Sequence, residues 1–208
     1  MARQTRKERE KARHREAILE AAEAVFAERG YNGATVQEIA ERAEFSVGYL
    51  YTLFENKEDI YVRLVELRVT EFLQDLRERL RREEDILEKV RVSVRAKFEF
   101  FRHNKQFFHI FTHFTPDSRA RGPVFMPESC REQYQGYLAQ MADIFRQGMR
   151  QGLFAEAEPV TLVLCLDGMT KSVIAHSLYT TKMVDSEQAA ETIERVFFRG
   201  ILAGSSEQ

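Results

Sequence analysis

The sequence predicts an all-α protein of about nine helices, and three observations carry that prediction. Glycine and proline are scarce, ten and four among 208 residues, about 7% against a usual ~12%. All four prolines (Pro116, Pro123, Pro127 and Pro159) come late, so the first 115 residues carry no obligatory helix breaker. Apolar residues recur at the helical period, and no stretch shows the sustained alternation of a half-buried strand.

Helix 1 is expected from about Arg13 to Arg29, with Ile18, Ala22, Val25 and Phe26 inward and Gly30 at the C-terminal cap. Helix 2 opens at Thr35, where Thr35-Val36-Gln37-Glu38 has the form of a capping box, and lasts to Ala43. Ser46 caps helix 3, Val47 to Phe54, and Asn56 caps a long helix 4 with Ile60, Leu64, Leu67, Phe72, Leu76 and Leu80 on its apolar side. Helix 5, about Asp85 to His103, carries Leu87, Val90, Val94, Phe98 and Phe101 at helical spacing. Helix 6 covers about Lys105 to Thr115, and residues 116–126 read as a Pro/Gly loop. Helix 7 runs from about Glu128 to Gln151, helix 8 from Pro159 to about Thr180, and helix 9 from after Ser186 to near Ala203. The expected division is 1–56 and 57–208.

Composition excludes several classes. Hydrophobic residues are 44% and charged residues 31%, the balance of a soluble globular chain. No apolar run approaches the ~18 residues of a membrane span, and the N-terminal stretch lacks the apolar core of a secretory signal. Two cysteines, Cys130 and Cys165, give no disulfide framework, so a cytoplasmic setting is expected. Cys165 is expected in the core and Cys130 as an ordinary thiol. Net charge is −2, yet residues 1–16 hold seven basic residues against three glutamates, a net +4 that leaves −6 elsewhere. That arm reads either as a DNA-contacting segment or as a solvated helix extension.

Residues 35–54 are the informative part. Two short helices are separated by Glu44-Phe45-Ser46, the spacing of a helix-turn-helix. Leu50 and Phe54 face inward, leaving Val47, Gly48, Tyr49, Tyr51 and Thr52 outward with no charge between Phe45 and Phe54. A solvated face normally carries Glu, Lys or Arg. This one offers hydroxyls for phosphates, a Val47 methyl for thymine and a glycine for close approach. Lys57 places a cation at a helix N-terminus, where the dipole prefers an anion, a placement that a bound phosphate would explain.

Thr35-Val36-Gln37-Glu38-Ile39-Ala40, followed by Ser46-Val47-Gly48-Tyr49-Leu50-Tyr51-Thr52-Leu53-Phe54-Glu55-Asn56-Lys57-Glu58-Asp59, resembles the TetR-type transcriptional regulators. The resemblance is close over residues 13–60. It extends over the body only in helix layout and in the closing Phe198-Arg199-Gly200-Ile201-Leu202. It implies a three-helix DNA-binding domain followed by a helical ligand-binding and dimerisation domain. Thr35, Tyr51 and Lys57 correspond to phosphate-contacting positions, and Val47, Gly48 and Tyr49 to base-facing ones. With Val36, Gln37, Ser46 and Thr52 they form the expected DNA-binding set. Two departures stand out. Glu44 occupies a turn position commonly held by glycine, where a left-handed conformation costs ~1 kcal/mol, and bulky Tyr49 replaces a small residue.

In the body, eight of sixteen phenylalanines lie between residues 98 and 125. They form either a dense core or a cavity wall. The resemblance implies an effector pocket, with Phe98, Phe101, Phe108, Phe111, Phe114, Tyr134 and Leu138 as candidate lining and Arg95, Arg102 or Tyr134 as a polar contact. His109 and His113 stand four apart but lack a third ligand at telling spacing, so no metal and no cofactor is expected. Helices 8 and 9 are apolar over much of their circumference, and the family pairs such helices between copies. Leu166, Met169, Val173, Ile193, Phe197 and Ile201 are the expected homodimer contacts. No catalytic arrangement appears and no enzyme is expected. The expected function is a homodimeric repressor that binds a pseudo-palindromic operator and is released by an apolar or aromatic effector. The alternative is a helical lipid or small-molecule binder without DNA binding.

Overall fold

Thr5 opens the described chain with a reciprocal cap. Its hydroxyl accepts from the Glu8 amide at 3.3 Å, and the Glu8 carboxylate accepts from the Thr5 amide at 2.7 Å. Helix α1 therefore spans Arg6–Gly33, not Arg13 onward, and the exposed basic residues of the arm are helical from Arg6. Gly30 interrupts it at φ 69°, a conformation a glycine adopts without steric cost. The computed structural model describes residues 5–113, 127–179 and 184–202.

Helix α2, Val36–Arg42, begins at the capping box of Thr35 and Glu38. Glu44 then takes φ 60°, so the turn does hold a non-glycine residue in the left-handed region. Helix α3 is Val47–Tyr51, shorter than expected, with the Ser46 hydroxyl accepting from the Tyr49 amide at 3.2 Å. Helix α4, Lys57–Arg82, starts where Asn56 Oδ1 accepts from the Asp59 amide at 2.9 Å. Helix α5 is Ile86–His103, capped by Asp85, and α6 is Lys105–His113. Helix α7 is Glu128–Arg150, α8 is Pro159–Tyr179, and α9 is Ser186–Ile201 with its cap at Asp185.

The described residues divide into two units. One holds the chain up to Val69 together with Gln106–His113; the other holds Thr70–Lys105 and the residues from Glu128 on. The boundary expected after residue 56 falls inside the first unit. Its core is the inner face of α1 (Ile18, Ala22, Val25, Phe26), with Ile39, Ala40, Leu50, Phe54, Ile60, Leu64 and Val65. In the second unit α7 packs on α8, and α5 packs on α7, α8 and α9. Its core includes Leu76, Leu80, Val94, Phe98, Phe101, Met141, Phe145, Val163, Leu166 and Phe197.

Gly148 shows how closely the second unit is packed. A Cβ built there would lie 2.2 Å from a ring carbon of Phe154. The chain turns back through Gly152 at φ 70°, which lets Phe154 cover α7 and the Ala155 amide donate to the Ile201 carbonyl at 2.7 Å. That contact includes an isolated bridge between Phe154 and Leu202, and no strand occurs among the described residues.

Candidate nucleic-acid interface

The outward side of α2 and α3 is built by caps. Thr35 is exposed, but its hydroxyl and amide are both engaged by Glu38, and Arg29 stands 3.8 Å from the same carboxylate. Those hydrogen bonds hold the Glu38 carboxyl below its ordinary range. Val36 is half-buried, and exposed Gln37 donates to Glu41 at 3.2 Å. Ser46, Gly48, Tyr51 and Thr52 are exposed, and Val47 is half-buried. The Thr52 hydroxyl donates back to the Tyr49 carbonyl at 2.7 Å.

Two positions bear most directly on function. Tyr51 leaves 55% of its surface exposed, among the most exposed large apolar side chains described. Gly48 has nothing within 4 Å of where a Cβ would stand, so packing gives no reason for a glycine there. In a helix, glycine costs ~1 kcal/mol relative to alanine. An open face that keeps it suits the approach of another molecule.

Tyr49, expected to face outward, instead turns toward α1. It is half-buried, with its hydroxyl 2.7 Å from His14 Nδ1. Lys57 also turns inward. Its ammonium donates to the carbonyls of Tyr31 at 2.7 Å and Ala34 at 2.8 Å and lies over the Tyr31 ring, and burial pulls its pKa below the ordinary lysine range. Two of its three donors are thereby used, leaving one.

The expected pocket residues belong to both units. Phe98 and Phe101 are each 4% exposed, Tyr134 and Leu138 are half-buried in the second unit, and Phe108 is half-buried in the first. The side chain of Phe111 and all of Phe114 lie outside the described residues, as do the side chains of His109 and His113. Of this set, only Phe98 borders the cavity of about 340 Å³ between α5 and α9, whose other walls include Arg95, Glu99, Arg102, Glu187 and Glu191. Arg95 is committed to Glu194 through bonds of 2.9 and 3.0 Å.

The body instead contains a buried polar cluster that sequence reasoning missed. Lys97 donates to Asp167 at 3.0 Å, to the Tyr137 hydroxyl at 2.9 Å and to the Ser93 carbonyl at 3.0 Å. Tyr137 and Tyr134 donate to the two oxygens of Asp167 at 2.8 and 3.0 Å, and Lys171 donates to Tyr134 at 3.0 Å. Burial opposes ionisation of Asp167, but the ammonium groups of Lys97 and Lys171 and the bonds it accepts outweigh burial and hold its carboxyl below the usual range. Burial pushes the Tyr137 phenol well above its ordinary value. The signal was present as one lysine beside the apolar stripe of α5 and one aspartate in apolar α8. No group of three or more potential ligands able to hold a metal occurs among the described residues.

Two expectations for α8 and α9 are corrected. Leu166, Ile193, Phe197 and Ile201 are buried within the protomer, and Met169 and Val173 are half-buried. The exposed stripe is instead Leu164, Cys165, Gly168 and Ser172 on α8, and Thr192, Val196 and Gly200 on α9. Cys165 is therefore exposed, not in the core, and Cys130 is the buried thiol. An all-round apolar helix does not reveal which side meets its own core.

Known proteins resemble this chain in both sequence and fold. The HTH-type transcriptional activator FasR of Mycolicibacterium smegmatis is 36% identical over 89 residues, 43% of this chain and 41% of FasR, so the match spans less than half of that relative. The fatty acid metabolism regulator protein of Bacillus subtilis is 26% identical over 145 residues, 70% of this chain and 73% of that protein. The crystal structure of the transcriptional regulator FadR from Bacillus subtilis in complex with stearoyl-CoA shares the fold, with a TM-score of 0.75 at 19% identity over 92% of this chain and 99% of that one. Residues 18–64, from the buried face of α1 into α4, match the model for bacterial regulatory proteins of the tetR family.

Proposed function

We propose that this chain is a homodimeric, ligand-responsive transcriptional repressor whose effector is a fatty acyl thioester. The observation that carries the DNA-binding part is the outward face of α3: exposed, uncharged, and holding a glycine with nothing packed against it. Exposed hydroxyls beside it and the exposed basic residues of α1 supply phosphate contacts. The fatty-acid regulators among the relatives and the stearoyl-CoA in one fold neighbour support the effector class.

Dimerisation uses the exposed stripe of α8 and α9. Leu164 and Val196 are 49% and 53% exposed in the protomer, and Gly168 and Gly200 leave room for a second helix to approach. Two recognition helices spaced ~34–36 Å apart then read an inverted repeat. Effector and operator oppose each other by linkage: a ligand that favours the conformation with the wrong spacing lowers operator affinity by the factor by which operator lowers its own.

The test is fluorescence anisotropy of an operator duplex titrated with the full chain, then challenged with stearoyl-CoA and, separately, with coenzyme A. Release by the acyl thioester alone is expected. Unchanged operator affinity at saturating stearoyl-CoA would remove the effector assignment while leaving DNA binding intact.

A further inference from the structure

Tyr49 stands on the recognition helix, yet its side chain is held from outside the helix-turn-helix. Its hydroxyl lies 2.7 Å from Nδ1 of His14 on α1. Its ring is 5.3 Å from that of Phe45 and meets the His14 ring edge-on at 5.6 Å, while His14 and Phe45 are themselves 4.9 Å apart. The Tyr49 amide is fixed by the Ser46 cap. Three half-buried rings therefore clamp a phenol that would otherwise sweep freely at the edge of the reading face.

We propose that His14 is a specificity-determining residue: by fixing the orientation and hydrogen-bonding role of Tyr49, it sets the preference at one base pair of each half-site. This rests on the DNA-binding reading above. A phenol hydroxyl has one donor and two lone pairs, and a neutral imidazole has one donor and one acceptor. When the hydroxyl donates to Nδ1, only its acceptor capacity remains, which suits the amino group of adenine or cytosine in the major groove. With Nδ1–H donating instead, the hydroxyl would keep both its proton and its second lone pair and still satisfy either kind of base. The discriminating arrangement is the one in which Nδ1 accepts at 2.7 Å: the imidazole then removes the donor role from a side chain that would otherwise satisfy both kinds of base. A lone tyrosine at this position reads little; the pair discriminates.

The experiment selects duplexes from a random pool with the wild-type full chain, H14F and Y49F, followed by titration of single-base operator variants. H14F keeps a ring against Phe45 and loses the nitrogen; Y49F keeps the ring and loses the hydroxyl. The expected result is that both relax the preference at the same single position, by about 10-fold in discrimination. The double variant should relax it no further, since the two groups act as one unit. Unfolding midpoints measured alongside separate this from loss of fold. An H14F preference identical to wild type overturns the proposal. So does a uniform loss of affinity across all sequences, which marks His14 as a structural or phosphate contact only. If the wild-type chain itself selects no sequence, the DNA-binding reading fails instead, a distinct outcome.

Discussion

The two units differ in the polar contacts that shape them. In the first unit four helix starts are set by a side chain that answers a backbone amide three residues away: Thr5 with Glu8, Thr35 with Glu38, Ser46 with Tyr49, Asn56 with Asp59. They start helices, stay at the surface and leave an uncharged face open. In the second unit the decisive polar groups are internal and find partners far away in sequence. Lys97 reaches Asp167 across α5 and α8, and Arg95 reaches Glu194 across α5 and α9. Local capping builds a surface that another molecule can read, whereas distant buried pairing fixes how helices sit against one another within the body.

The sharpest way to break that contrast is to remove one member of the buried cluster. Asp167 is 2% exposed, so D167N leaves the Lys97 ammonium buried without its counter-charge, an expected loss of about 3–5 kcal/mol in urea unfolding. The pH dependence has a defined sign. The Asp167 carboxyl is held below its ordinary value in the folded chain, so its contribution is complete above an unfolded pKa of ~3.9 and disappears as pH falls through the lower folded value. The stability gap between wild type and D167N should narrow as pH falls below about 4, where folded Asp167 begins to take up its proton. A gap that widens on acidification below about pH 4 would contradict the assignment.

A smaller effect is expected at Gly148. A methyl group there meets the Phe154 ring at 2.2 Å, so G148A should cost about 1–3 kcal/mol by overpacking, read as a lowered unfolding midpoint. The smallest effect sharpens the comparison most, because stability and function should move in opposite directions. Gly48 has open space where a Cβ would go, so G48A should stabilise the chain by roughly 0.5–1 kcal/mol while weakening operator binding in an anisotropy titration. A stabilised G48A with unimpaired operator affinity would show that nothing approaches that glycine.

The same contrast explains what the sequence made legible. The Thr35–Glu38 capping box, the turn at Glu44 and the break in α1 at Gly30 are encoded within four residues and could be read directly, whereas the helix end at Gly33 and the Thr5–Glu8 box that moved the start of α1 were not. Helix types and order followed from period and breakers. The orientation of α8 did not, because an apolar residue at every face is compatible with either side being inward. Leu166 and Cys165 therefore exchanged places with expectation. Lys97 and Asp167 were visible only as misplaced charges, and their pairing depends on helix packing across 70 residues of chain. Tyr49 was recognised as unusually large, but its partner His14 lies on another helix.

The measurement that bears most directly on the central claim is selection of bound duplexes from a random pool at ~0.15 M salt, where non-specific phosphate binding is weak. Recovery of an inverted repeat whose half-sites lie one helical turn or a multiple of it apart is expected. No enrichment by protein shown to be folded would mean that the open face of α3 does not read DNA, and would contradict DNA binding by this chain.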